Sequence, residues 1–170
     1  MWKLSNRSKS RLVGVHPKLV EVVTKSLEYS PYDFGVTFGV RDLETQKKLV
    51  AAGRSQTMKS KHLIQDDGYS HAVDVVAYVD TGDGPEVCWE LPVYDKVADA
   101  FKKAAEEVGI DIMWGSAWHS NLTNQHKSGE DLREEYIDLR KSQSRKYFLD
   151  SPHYQLMTFT LILFTFSTFS

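Results

Sequence analysis

Residues 71–79 read HAVDVVAYV, a run of β-branched, aromatic and small apolar residues broken by a single carboxylate. Such a run reads as a buried strand. Asp74 therefore constrains the whole chain, because a carboxylate buried without a partner is costly. It has to be either a metal ligand or a buried hydrogen-bonding residue. Cys88 is the one cysteine, which excludes an internal disulfide and a thiolate metal cluster. Any metal site must be built from His, Asp and Glu.

Around that strand, helical and strand-like segments are mixed without a regular βαβ repeat. Residues 17–29 place Leu19, Val20, Val23 and Leu27 at helical spacing, with Pro17 in the first turn and Ser30-Pro31 as the stop. FGVTFGV at 34–40 predicts a strand, and Asp42 caps a helix that runs to Ala52 and ends at Gly53. Residues 54–71 are loop-like and TGDGPE at 81–86 is a turn. The clearest amphipathic helix is 94–108, with Val97, Ala98, Phe101, Ala105 and Val108 on one side and Gly109 closing it. IDIMW at 110–114 is a strand, GEDLREEYIDLRK a surface helix, and FLDSPHYQLMTFT strand-like again. The expectation is an α+β fold, a small mixed sheet with flanking helices. With 170 residues, no internal repeat and no low-complexity linker, 1–170 reads as one domain.

Composition narrows the partners. Apolar residues are 41% and charged residues 26%, an ordinary globular balance. A net charge of −2 supplies no basic field for a phosphate backbone, so nucleic acid is excluded as a partner. The opening MWKLSNRSKSRLVGV lacks the apolar stretch of a secretory signal. TLILFTFSTFS at 160–170 is too short and too rich in Thr and Ser for a membrane span, and reads as an added strand or a sticky tail.

Of the histidines His16, His62, His71, His119, His126 and His153, none forms a short metal signature such as H-E-x-x-H. Two local clusters stand out. Ser60-Lys61-His62 precedes a polar loop and then Ala72-Val73-Asp74, and Asp150-Ser151-Pro152-His153 lies much later. Together they resemble the zinc peptidases of the D-Ala-D-Ala carboxypeptidase and L-alanyl-D-glutamate endopeptidase group. The segments SPYDFGVTFGVRDLETQKKLVAAG, HAVDVVAYVD and VYDKVADAFKKAAEEVGIDIMWG look like the phage endolysin branch over most of residues 8–118.

The resemblance implies a hedgehog/DD-peptidase-like zinc peptidase fold, with Zn2+ held by His62, Asp74 and His153. Two neutral imidazoles and one carboxylate leave a net +1 and an open position for water, which suits a catalytic zinc. The resemblance also implies Asp150 as general base, Arg41 contacting substrate or the developing oxyanion, and Ser60 contacting substrate. A structural salt bridge is the competing reading of Arg41. The implied activity is cleavage of the L-Ala–D-Glu bond of peptidoglycan stem peptides during phage-induced host lysis. The implied protein is a monomer in the host cytoplasm that acts on the wall after release. Two alternatives share the pattern: a D,D- or L,D-carboxypeptidase, and a catalytically inactive wall-binding module.

The chain departs from the family pattern in several places. His62 and Asp74 are twelve residues apart, Ser70 stands at a glycine position, and LIQDDGYS fills the gap as a loop insertion. His71 is a competing ligand, but an odd offset from Asp74 in an extended strand turns it to the opposite face, which favours His62. Asp66 and Asp67 read as a solvated loop, with cation binding by the pair as the alternative. Ala117 stands where an aspartate is frequent, and Gln155 replaces the glutamate of H-x-E, so a carboxylate behind His153 is missing. The long segment 119–149 is expected to form a lid or a wall-contacting surface.

Overall fold

The computed structural model describes residues 1–157, so the 160–170 tail and its expected strand lie outside the described residues. The sheet runs in the order β1 (Asp33–Phe38), β2 (Ala72–Asp80), β5 (His153–Leu156), β4 (Ile112–Trp114). A further strand, β3 (Pro85–Cys88), pairs with the far end of β2. The α+β class holds, but every ladder is antiparallel where a mixed sheet was expected. The one parallel pairing among the described residues is the isolated bridge of Val15 with Ser70. β5 enters between β2 and β4 antiparallel to both, so no crossover between parallel neighbours is needed.

Alternation along the strands sorts the sheet into two faces. Phe34 and Val36 of β1, Val73, Val75 and Ala77 of β2, Ile112 and Trp114 of β4, and Tyr154 and Leu156 of β5 all join the hydrophobic core. The intervening positions Thr37, Asp74, Met113, His153 and Gln155 belong to the other face. Against the core face lie helices α2 (Pro17–Tyr29) and α4 (Leu91–Val108), which also pack on each other. Phe101 of α4 stacks on Tyr154 with ring centroids 3.7 Å apart. The 94–108 helix begins earlier than its apolar periodicity suggested, because Leu91-Pro92 supplies a first turn in which proline is tolerated. Gly109 ends it at φ 74°, a left-handed conformation that suits glycine.

Two elements escape the periodicity. Helix α1 (Asn6–Arg11) has no apolar stripe and starts at Ser5, whose side chain accepts from Ser8 N at 3.1 Å. It covers β1, an edge strand: Ser8 Oγ accepts from Val36 N at 3.0 Å and an Arg11 guanidinium nitrogen donates to Val36 O at 2.8 Å. β3 takes the end of the expected 81–86 turn, with Pro85 at its first position, where a missing N–H is tolerated. The 34–40 strand and the helix after Asp42 are found as β1 and α3 (Leu43–Ala51).

The long segment after β4 is no free-standing lid. Its helix α5 (Gly129–Ser142) is capped by a reciprocal Ser128–Asp131 box and buries Leu132, Tyr136 and Ile137. It lies on α4, where Arg133 forms a two-pronged ion pair with buried Asp95 (Nε–Oδ1 2.8 Å, Nη2–Oδ2 2.9 Å). A Cβ on Gly129 would fall on the Asp95 carbonyl, so the helix start needs glycine to approach. Among the described residues, no helix is long and apolar enough to cross a membrane. Replacing Asp95 by Ala leaves Arg133 without its buried partner and is expected to cost about 3–5 kcal/mol. Urea unfolding measures this, and wild-type stability in Asp95→Ala would show that the pair does not hold α5 to α4.

Candidate metal centre

Asp74 and His153 face each other as a cross-strand pair of β2 and β5. Their contact follows from register alone: Asp74 Oδ1 lies 2.9 Å from His153 Nδ1. His62 arrives from the loop between α3 and β2, and its Nε2 lies 3.1 Å from the same oxygen. The loop is held at its root by main-chain bonds from Arg41 N to His62 O and from His71 N to Lys61 O. Both histidines are buried.

The outer nitrogens decide what this cluster can hold. His62 Nδ1 lies 2.7 Å from the carbonyl of Gly39, which can only accept, so that nitrogen carries the ring proton. His153 Nε2 lies 2.9 Å from Gln155 Oε1, which likewise accepts. Each neutral ring then directs a lone pair from its inner nitrogen at one carboxylate oxygen. Three electron-rich atoms face one another, and only a proton or a metal ion between them relieves the repulsion. The ligand atoms all lie within 4.8 Å of one another, and the His₂Asp donor set fits a zinc-type site.

The electrostatics tell the same story. With protons rather than a metal ion on the inner nitrogens, burial pushes the Asp74 carboxyl up, but hydrogen bonds from His153 and His62 and their charge outweigh it and hold the group well below the ordinary range. Burial pushes His153 down, yet its hydrogen bond to Asp74 and the charges of Asp74 and Asp150 raise it overall. The pocket favours positive charge strongly enough to overcome desolvation.

The remaining expected residues lie around this centre. Asp150 begins a turn closed by His153 N donating to Asp150 O at 2.9 Å, and Asp150 N donates to Gly115 O at 2.8 Å. Burial raises the Asp150 carboxyl, and the charge of Asp74 adds to the rise against His153, His62 and Arg41. Arg41 has Nη2 3.6 Å from Asp74 Oδ2 and Nη1 donating to Gln46 Oε1 at 2.8 Å, with its guanidinium beside the Phe38 ring. Arg41 thus forms an ion pair with Asp74, as its structural reading expects. Ser60 is buried, and its hydroxyl accepts from His62 N at 3.3 Å, within the turn that carries His62.

His71 turns away, as its odd offset implies. Its Nε2 lies 2.7 Å from Asp67 Oδ2, and His16 Nε2 is 3.9 Å from the same oxygen. Asp67 is therefore engaged within the insertion rather than simply solvated.

The first 157 residues match the family of phage L-alanyl-D-glutamate peptidases. The L-alanyl-D-glutamate peptidase of Escherichia phage T5 is 31% identical over 124 residues, covering 71% of this chain and 84% of that protein. Among solved structures, the L-Ala D-Glu endopeptidase ChiX of Serratia marcescens superposes with a TM-score of 0.62 at 35% identity. That match covers 92% of this chain and 90% of the other. The chain belongs to the phage L-alanyl-D-glutamate peptidase family.

In this peptidase, several contacts at the site have little or no signature in the sequence. Gln46 is fully buried and ties Arg41 to the following loop by donating to Thr57 O at 2.6 Å. Its position on α3 gave no hint beyond a polar residue on a short helix. Trp118 lies over His153 with ring centroids 5.4 Å apart and donates its indole N–H to Phe148 O. Trp114 donates to Ser151 O at 2.9 Å, and Ser116 and Ser151 share a hydrogen bond, which together pin the Asp150–His153 turn. A Cβ on Gly115 would fall on the Asp150 carbonyl. Gly115→Ala should therefore displace that turn and lower peptidase activity about 100-fold, as expected for a misplacement of about 1 Å. Kinetics alongside thermal unfolding checks this, and unchanged activity in a folded variant would contradict it.

Proposed function

We propose that this chain is a zinc-dependent peptidoglycan endopeptidase that cleaves the L-Ala–D-Glu bond of stem peptides in phage-induced lysis. The observation that carries the reading is the half-buried carboxylate of Asp74 facing two buried histidines at one oxygen, in a chain of this family. The L-Ala–D-Glu names of both relatives favour an endopeptidase over a D,D- or L,D-carboxypeptidase. A single-domain monomer, held in the host cytoplasm until release to the wall, completes the proposal.

His62, Asp74 and His153 would hold the ion. Bound there, zinc supplies the Lewis acidity that makes water a nucleophile near neutral pH and polarises the scissile carbonyl. Asp150 accepts the proton of the attacking water and passes it to the leaving amine, a task helped by its raised affinity for protons. Arg41, anchored by Gln46, offers guanidinium N–H groups to the developing oxyanion or to a substrate carbonyl. Ser60 supports His62 and lines the approach of substrate.

Digestion of purified walls by the zinc-loaded protein should release fragments with a new N-terminal D-Glu, read by mass spectrometry. Release of terminal D-alanine instead would identify a carboxypeptidase, and no release at all a binding module. Asp150→Asn should lower wall lysis by about 100-fold or more while zinc binding stays close to wild type. Surviving lysis would remove Asp150 as the base.

Zinc affinity should fall with pH, because the ligand imidazoles must be neutral to bind. His153 holds its proton more tightly than an ordinary histidine, so protons compete from near neutrality downward, with steep loss below about pH 6. Chelator competition across pH 5–8 measures this dependence, and a flat profile would exclude histidine ligation.

A further inference from the structure

His153 and Gln155 stand two apart on β5, so their side chains share the face that carries Asp74. Gln155 lies in the middle of the sheet, paired with Ala72 on one side and Met113 on the other. Its amide oxygen is 2.9 Å from His153 Nε2. The imidazole is thereby fixed at three points: Nδ1 on Asp74, Nε2 on Gln155, and one ring face against Trp118.

The acceptor behind His153 is a neutral amide, and the acceptor behind His62 is the neutral carbonyl of Gly39. Neither ring hydrogen-bonds a carboxylate through its outer nitrogen. Within the ligand set, negative charge comes from Asp74 alone, and its other oxygen faces Arg41 at 3.6 Å. A carboxylate behind a ligand histidine raises the basicity of that ligand, whereas an amide oxygen orients the ring without adding charge.

We propose that Gln155 is a positioning residue that fixes His153 in its Nε2–H tautomer and aims Nδ1 at the metal without adding charge to the site. It deepens the zinc reading and rests on it. What the neutral amide supplies is orientation, and the metal keeps the electrophilicity that a carboxylate hydrogen-bonded behind His153 would diminish.

The test is zinc affinity of the full chain by chelator competition, independent of catalysis, for wild type, Gln155→Leu, Gln155→Glu and Asp74→Asn. Gln155→Leu should weaken zinc about 10–100-fold. Gln155→Glu restores an acceptor and should bind at least as tightly as wild type. In nitrogen-15 NMR of the zinc-loaded protein, the His153 Nε2 proton should be slowly exchanging in wild type and exchange faster in Gln155→Leu. Equal affinity and equal exchange in wild type and Gln155→Leu would overturn the role of Gln155 while leaving the metal reading intact. Wild type binding no better than Asp74→Asn would overturn both. Should Gln155→Leu fail to fold, Gln155→Glu decides alone, because weaker binding than wild type contradicts the proposal.

Discussion

The carboxylate of Asp74, placed in the middle of an otherwise apolar strand, is the constraint around which the rest of this structure is arranged. Val73 and Val75 on either side of it point into the core, so the strand cannot shift to expose it. A one-residue slip would turn the whole apolar set outward. The chain meets the demand of that carboxylate with β5 on one side, which supplies His153 in register, and with a loop that brings His62 across. Both rings are oriented by acceptors at their outer nitrogens, so the group asks for a cation and not merely for hydrogen-bond donors.

The same logic separates two histidine–aspartate clusters only a few residues apart. At Asp74, each ring proton is drawn outward, to Gly39 or Gln155, and lone pairs face the carboxylate. At Asp67, His71 presents its Nε2 to the carboxylate while its Nδ1 is buried without a partner. His16 accepts from Lys18 N through Nδ1, which leaves its Nε2–H turned toward the same Asp67. One arrangement calls for a metal; the other is satisfied by protons already on the rings. His71 therefore holds Asp67 of the insertion beside His16 at the start of α2, while His62 and His153 are the histidines that converge on Asp74.

Much of this is legible in the sequence. Period-2 and period-3.6 patterns mark β1, β2, α2 and α4, because each has a face that must leave water, and α3 is marked by its Asp42 cap and the Gly53 stop. His62, Asp150 and His153 stand out through the resemblance of their motifs to the zinc peptidases, and only Asp74 is marked on physical grounds, as a carboxylate in an apolar strand. What stayed hidden had no periodicity to announce it. α1 is held by hydrogen bonds to the edge of β1 and β3 is only four residues long, while the expected helix over 129–141 is present as α5 but buries Arg133, which any pattern assigns to solvent. The apolar strand expected over 148–160 is shortened in front by the Asp150–His153 turn, and beyond Met157 lies outside the described residues.

Residue chemistry alone thus settled the inventory: no thiolate cluster, one carboxylate in an apolar strand, and a histidine three residues after an acidic residue close to the chain's end. It could not settle which way each ring points, since tautomer and orientation depend on atoms far away in the chain. The Gly39 carbonyl reaches His62 across 23 positions, and Asp74 meets His153 across 79. Those distances close only when β1, β2 and β5 lie side by side. Folding, rather than composition, therefore turned two histidines and an aspartate into a cluster that could hold a metal ion, because only the sheet brings their ligand atoms to one point.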